Sequence, residues 1–322
     1  MRMAKYILKR IFLMLFVLFV IVTICFFLVK MLPRSLPEGN LQQQQAVLAR
    51  WEALGYNKPV VEQYQIYLTN IFTKFDFGTS WFIKYNTPAL ELLTSRLLPT
   101  VLVNLYSLLF STPIGIALGI YAAIRKNRWQ DSLISTSVMV FVSVPSYVYA
   151  FLVQYIFYFK LRWLPITVSS LADAGGSWFT GKMFVSMIPA ILAMSFGSIA
   201  GYARGVRAEL TEVLTSEFML LARTKGLTKP QATVRHAMRN AMVPIFPAII
   251  GEFISVMSGS LIIENIFGIP GVGGLYLASI NAPDYDFFML LSGFYLAIGL
   301  AAGLVIDLSY GFIDPRIRMG AK

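Results

Sequence analysis

The sequence predicts an all-α polytopic membrane protein with six transmembrane helices and an extracytoplasmic helical cap after the first span. Three observations carry that expectation. Of 322 residues 57% are hydrophobic and 13% charged, about half the charged share of soluble domains. Six stretches, at about 11–32, 100–124, 133–159, 184–202, 242–267 and 287–308, approach the ~20 apolar residues that cross ~30 Å of hydrocarbon at 1.5 Å per residue. The net charge of +11 is concentrated beside those stretches, which fits membrane topology and argues against nucleic-acid binding.

The first stretch follows "MRMAKYILKR". Its apolar run exceeds a signal-peptide core and no small-x-small cleavage site follows, so it reads as an uncleaved span. Lys and Arg flank the cytoplasmic ends of spans. Arg2, Lys5, Lys9 and Arg10 precede the first span, Arg125, Lys126 and Arg128 fill the loop after the second, and Arg316, Arg318 and Lys322 end the sequence. All are assigned to the cytoplasmic side, which places both termini there. The segment of about 33–98 then faces outward, and "NLQQQQAVLARWEALGY" and "PVVEQYQIYLTNIF" give it helical apolar spacing bounded by Gly or Pro. The expected organisation is 1–32 for the tail and first span, 33–98 for the cap and 99–322 for the transmembrane core, with a cytoplasmic loop at about 203–240.

That loop contains "SEFMLLARTKGLTKPQATVRHAMRNAMVP". From Tyr202 the pattern continues a helix, with Val206, Leu210, Val213 or Leu214, and Phe218 on one face. Gly226 stands where a helix would stop in the left-handed conformation, after Arg223 and Lys225 at the negative end of the dipole. "TKPQ" then reads as a capping box, with Thr228 as N-cap, Gln231 at N3 and Pro230 in the first turn. A second helix is expected from Lys229 through His236 and Arg239 into the fifth span, kinked by Pro244 and Pro247. Such a helix–turn–helix suits transmission of force. It carries no carboxylate pair beside a nucleophile, and His236 is the single histidine, so His-based metal and Ser-His chemistry are excluded.

The run "YARGVRAELTEVLTSEFMLLARTKGLTKPQATVRHAMRNAMVPIFPAI" resembles the cytoplasmic loop of binding-protein-dependent ABC importer permeases, and most closely the B-type permease of the dipeptide/oligopeptide family. "FDFGTSWFIKYNTPALELLTSRLLPTVLVNL", "SVPSYVYAFLVQYIFYFKLRWLP", "IIENIFGIPGVGGLYLASINAPDYDF" and "DLSYGFIDPRIR" extend the resemblance, in order, over nearly the whole sequence. It departs at "MLPRSLPEGN", and in the Glu-Ala-Ala-x-x-x-Gly signature, reduced here to Ala222 and Gly226 behind Leu220 and Leu221.

The resemblance implies the type I ABC importer permease fold. It also implies a second, homologous permease, two cytoplasmic ATPase subunits or domains, and an extracytoplasmic solute-binding protein that delivers peptide, in a bacterial plasma membrane. ATP and magnesium would belong to the ATPases, and this chain would bind no cofactor and catalyse no reaction. A helix of about 216–225 would seat in an ATPase groove, with Ser216, Glu217, Phe218, Leu221, Ala222, Arg223, Lys225, Gly226 and Leu227 as its coupling residues. Nickel chelates, glutathione or sugars are cargo that the same architecture carries in related systems.

Other signals weigh less. "GSWFTGKM" matches phosphate-loop spacing up to its lysine, but Met183 replaces the magnesium-holding Ser or Thr and no strand precedes it. Glycine pairs recur at Gly115 and Gly119, at Gly197, Gly201 and Gly205, and at Gly299 and Gly303, a spacing that permits close helix approach within the chain or against a partner. Intramembrane acids cost about 2.5–3.5 kcal/mol to insert and mark pathways, partners or interfaces. Glu252, Glu264 and Asp307 are the candidate pathway residues: Glu252 is expected to lie deep, either against a peptide's N-terminus or backbone or hydrogen-bonded to a neighbouring helix, while Glu264 and Asp307 sit near span ends, where the interface is favoured over the pathway. A membrane-embedded protease lacks its Ser/His, HExxH or paired-Asp set, and a secondary transporter lacks its inverted repeat.

Overall fold

Apolar composition over long uninterrupted stretches produces long helices here, and the few interruptions decide the architecture. The computed structural model describes residues 2–33, 36 and 39–313. Arg316, Arg318, Lys322, residues 34, 35, 37 and 38 of the "MLPRSLPEGN" departure and the last residues of "DLSYGFIDPRIR" lie outside the described residues.

The helices are α1 (Arg2–Lys30), α2 (Leu41–Ala53), α3 (Val60–Lys74), α4 (Ala89–Ile124), α5 (Trp129–Ser143), α6 (Ser146–Val153), α7 (Gly181–Leu214), α8 (Glu217–Thr224), α9 (Lys229–Ala232), α10 (Met238–Ala241), α11 (Ile245–Ser255), α12 (Leu261–Ile266), α13 (Val272–Asn281) and α14 (Tyr285–Ile313). Between α3 and α4 lies an antiparallel ribbon of β1 (Thr79–Ser80) and β2 (Thr87–Pro88), an addition to the all-α expectation.

Four helices are long and apolar enough to cross a bilayer, and six spans result if each of two bent pairs is one span. The third expected span turns by 101° at Val144 and Pro145, and the fifth is bent by 52° between 230–241 and 245–258. Proline accounts for both breaks, because Pro145 and Pro244 lack the N–H an uninterrupted helix needs. The fifth stretch breaks again at Gly259, φ 68°, so α11 and α12 replace the single helix expected over 242–267. Spans two and four are longer than expected, at 36 and 34 residues.

Contacts divide the chain into two units, Met1–Thr100 with Pro270–Ala301, and Val101–Ile269 with Ala302–Lys322. The first 100 residues thus share a unit with 270–301.

In the first unit, α2 opens on the capping box of Asn40 and Gln43. Phe26 of α1 packs on Tyr64 and Tyr67 of α3. Ala89, Leu92 and Leu93 of α4 form a core with Val272 and Leu275 of α13 and Phe287 and Leu291 of α14. A buried carboxylate holds the loop after β1. Asp284 is 2% exposed, and its Oδ2 accepts from Ser80 Oγ at 2.6 Å and from the amides of Trp81, Phe82 and Ile83 at 3.2 Å.

Burial pushes the Asp284 carboxyl above the usual carboxylate range, against the lowering bonds from Ser80, Ile83 and Phe82 and with a further raising contribution from Asp286. The folded state therefore keeps a proton that the unfolded chain releases, so stability declines as pH rises from about 4 through the raised value. Asp76 has the opposite sign: despite its burial, the Gly78 amide and Arg50 hold it low, and its contribution is lost only as pH falls below that range. Asp284→Asn, which retains an acceptor, is expected to flatten the decline. Asp284→Ala orphans four donors and is expected to cost roughly 3 kcal/mol. Thermal unfolding of the three proteins across pH checks both, and an unchanged slope in Asp284→Asn would contradict the assignment.

In the second unit, α7 is the central post. Met183, Met187, Ala190 and Ala193 on it pack with Tyr149 and Ala150 of α6 and Ile263 of α12. Gly115 and Gly119 of α4 meet the same helix so closely that an added Cβ would stand 2.8 Å from Ile199 O and 2.7 Å from Ala203 O. That pair serves packing within the chain. At Gly197, Gly201, Gly299 and Gly303 nothing lies within 4 Å of such a Cβ. The lysine of "GSWFTGKM" donates from Nζ to Asp173 O at 2.8 Å, and Thr180 caps α7 through the Met183 amide, so the phosphate-loop likeness resolves into a helix start.

Candidate coupling site

The site is built from the end of α7, the short α8 and the π-helical turn that follows α9. α7 stops at Leu214, and Thr215 closes it through its own N–H to Glu212 O and Val213 O. The single helix expected from Tyr202 through Phe218 is therefore two. Val206 and Leu210 are fully buried on α7, while Phe218 belongs to α8 and is 44% exposed. Ser216 is the N-cap residue of α8 by backbone, but its hydroxyl turns back to Val213 O at 2.7 Å and leaves the helix N-terminus without a side-chain cap.

α8 ends at Thr224, with Lys225 as C-cap. Gly226 follows at φ 86°, its amide donating to Arg223 O, and no atom lies within 4 Å of an added Cβ. The residue is required by backbone conformation and not by crowding. Thr228 shows the Gln half of the expected capping box, its amide donating to Gln231 Oε1 at 3.1 Å. Beyond it the continuous helix expected from Lys229 is interrupted twice, by a π-helical turn at Thr233–Ala237 and by the turn at 242–244. His236 sits edge-on to the Phe218 ring at 5.7 Å, a packing contact.

Two faces of α8 differ in partner. Met219 and Ala222 are buried with Ala123, Leu210, Ala232, Ala237 and Ala241, a seat of small residues that lets α8 lie close to its supports. Glu217, Phe218, Leu221, Arg223, Lys225 and Gly226 are exposed, and Leu227 is half-buried. Ala222 therefore anchors the helix from beneath, apart from the other candidate coupling residues. Leu220, at 64% exposure, belongs with the presented face; sequence reasoning had placed it only ahead of the reduced signature. Three exposed apolar side chains on one two-turn helix form a surface suited to burial by another protein. Beside it runs a groove of about 850 Å³ bordered by Arg125, Lys126, Arg128, Glu217, Arg223 and Val234.

The support behind α8 includes an ion pair that sequence reasoning missed. Asp131, in the first turn of α5, is 3% exposed and takes Arg207 of α7 bidentately, Nε to Oδ1 at 2.5 Å and Nη2 to Oδ2 at 2.8 Å. Asn127 N and Ser135 Oγ also donate to it. An acid just inside the apolar run after "RKNR" was the available signal.

The candidate pathway acids separate. Glu252 of α11 accepts from Ser198 Oγ at 2.9 Å and from the Tyr202 hydroxyl, both on α7. Glu264 is 2% exposed, on α12 beside buried Ile263 and Phe267. Asp307 is half-buried on α14.

The family described as "Binding-protein-dependent transport system inner membrane component" matches residues 115–319, including the whole of α7 to α12. This chain is a binding-protein-dependent transport permease. The N-terminal component of the same systems matches residues 3–91 of the permease. The dipeptide transport system permease protein DppB of Lactococcus lactis subsp. cremoris (strain MG1363) is 35% identical over 98% of this permease and its own full length. The oligopeptide transport system permease protein OppB of Haemophilus influenzae is 32% identical over the same shares. A solved structure, "Crystal structure of an amino acid ABC transporter with histidines", covers 68% of the permease and 92% of its own chain at 19% identity and a TM-score of 0.50, a likeness of fold.

Proposed function

We propose that this permease forms, with a second and homologous permease, the pathway of an ATP-binding-cassette importer for dipeptides or oligopeptides. The observation that supports it most is similarity over the full length to permeases named for those two cargoes. The site fits the same reading: α8 presents apolar residues outward from a close-packed seat, as a helix gripped by a moving partner must. Two ATPase subunits or domains hold the nucleotide and magnesium, and an extracytoplasmic binding protein delivers cargo. The permease itself binds no cofactor. Ser216, Glu217, Phe218, Leu221, Arg223, Lys225, Gly226 and Leu227 make or shape the ATPase contact, and Ala222 supports it from below. Both termini and α8 lie in the cytoplasm, and α2 and α3 lie outside. Closure of the ATPases on ATP moves α8, and α7 and α11 carry the movement into the membrane.

Reconstitution of the permease with its second permease, ATPases and binding protein tests this. ATP-dependent accumulation of a labelled di- or oligopeptide is expected, together with labelling of Gln42→Cys from outside and Lys126→Cys from the cytoplasmic side in a Cys25→Ala background. Ion-driven uptake by the chain alone would contradict it.

A further inference from the structure

α7 and α11 run antiparallel. Ile245 stands against Gly205, where an added Cβ would lie 3.3 Å from Ile245 Cδ1, and seven residues on, in opposite directions, Glu252 meets Ser198. Between and beyond those contacts the glycine row of α7 is open, with nothing within 4 Å of a Cβ at Gly201 or Gly197. The helices pack through Tyr202, Ile245 and Ile249, and Glu252 links them by its side chain beyond that contact. Tyr202 donates to the second carboxylate oxygen, and Thr112 of α4 stands beside that hydroxyl. Glu252 and Ser198 are half-buried.

Seven residues separate Glu252 from Ile245, where α11 begins after the turn at 242–244, so at 1.5 Å each the carboxylate lies about 10 Å along that helix, within the apolar stretch. Two hydroxyls orient the group, and among the described residues no Lys or Arg pairs with it. A carboxylate in such a stretch is costly without a cation.

We propose that Glu252 is the subsite for the α-ammonium group of the transported peptide, an inference that rests on the peptide-importer reading. Each carboxylate oxygen receives one hydroxyl and keeps lone-pair positions for an ammonium N–H. Gly197 and Gly201 leave room beside it for extended backbone.

The test compares uptake of a labelled tripeptide and its desamino analogue by the complete reconstituted importer, at matched loading of the binding protein, for wild type and Glu252→Gln. The amide keeps the size and the hydroxyl contacts and removes the charge. Wild type is expected to carry the free-amine peptide about tenfold faster, the worth of one charge-assisted hydrogen bond. Glu252→Gln is expected to bring the two rates within about twofold by slowing the free-amine peptide alone. Where the binding protein does not load the analogue, equilibrium binding of both labelled peptides to the importer without binding protein reads the same ratio. An unchanged ratio in Glu252→Gln, or none in wild type, overturns the subsite. Equal loss of both peptides with weakened retention of the second permease also overturns it, and assigns Glu252 to that subunit. Failure of wild type to move either peptide overturns the peptide reading together with the subsite.

Discussion

Gly226→Val is expected to separate assembly from transport. The left-handed backbone at φ 86° costs an L-residue about 1–2 kcal/mol, and a β-branched side chain lies at the upper end. Because no atom lies within 4 Å of the new Cβ, the side chain meets no clash and the cost falls on the turn alone. The chain can relieve it by rotating Gly226 out of that region, which changes the angle at which α8 leaves α9. Peptide uptake and cargo-stimulated ATP hydrolysis should then fall together, by roughly tenfold for 1.4 kcal/mol of misplacement, while the binding protein's affinity for cargo is unchanged. Gly226→Asn, which tolerates the left-handed region better, should lose less. Normal coupled uptake in the valine variant would show that α8 does not depend on this turn.

Removing one member of the Asp131–Arg207 pair is expected to be the most destabilising single change in the support behind α8. Arg207→Ala leaves Asp131, 3% exposed, with only the Asn127 amide and Ser135 hydroxyl as donors. Breaking a buried pair costs about 3–5 kcal/mol, and partial exposure of the Arg207 side chain places this case near 3. The doubly exchanged variant, Asp131→Arg with Arg207→Asp, restores the pair but aims two donors at a cation. It should therefore recover only part of the loss, measured as thermal stability of the purified permease. Since α7 leads directly to α8, the single variants should also lower uptake per ATP hydrolysed. Stability of Arg207→Ala equal to wild type would contradict the pair's role.

Legibility followed the range of each interaction. Helices at 41–53 and 60–74 and the short helix before Gly226 were readable because caps, periodicity and a left-handed glycine act within a few residues. The Asp284 grip was not, since Ser80 and Asp284 lie 204 positions apart and neither carries a local pattern. Arg207 was readable as a cytoplasmic charge, but its partner on α5 is 76 positions away. Apolar runs gave the existence of spans three and five, and Pro244 gave the bend at the entry to the fifth, but the breaks at Pro145 and Gly259 were not legible, because hydropathy is blind to whether such residues are accommodated in one helix or divide it. The burial of Glu264 was not legible for the same reason: distance from the end of an apolar run says nothing of what folds over it.

The divided fifth span has a consequence for biogenesis. α11 has 11 residues, a rise of about 16 Å, roughly half of the hydrocarbon thickness. The backbone at Gly259 and Ser260 leaves helical hydrogen bonding between α11 and α12, and bare peptide groups are not tolerated against lipid. Neither piece is therefore a self-sufficient insertion unit when it emerges from the ribosome. α7, with 34 continuous residues, can enter the bilayer on its own hydropathy and then serve as the template against which the segments after it settle. Membrane integration of this permease is, at that point, an act of folding.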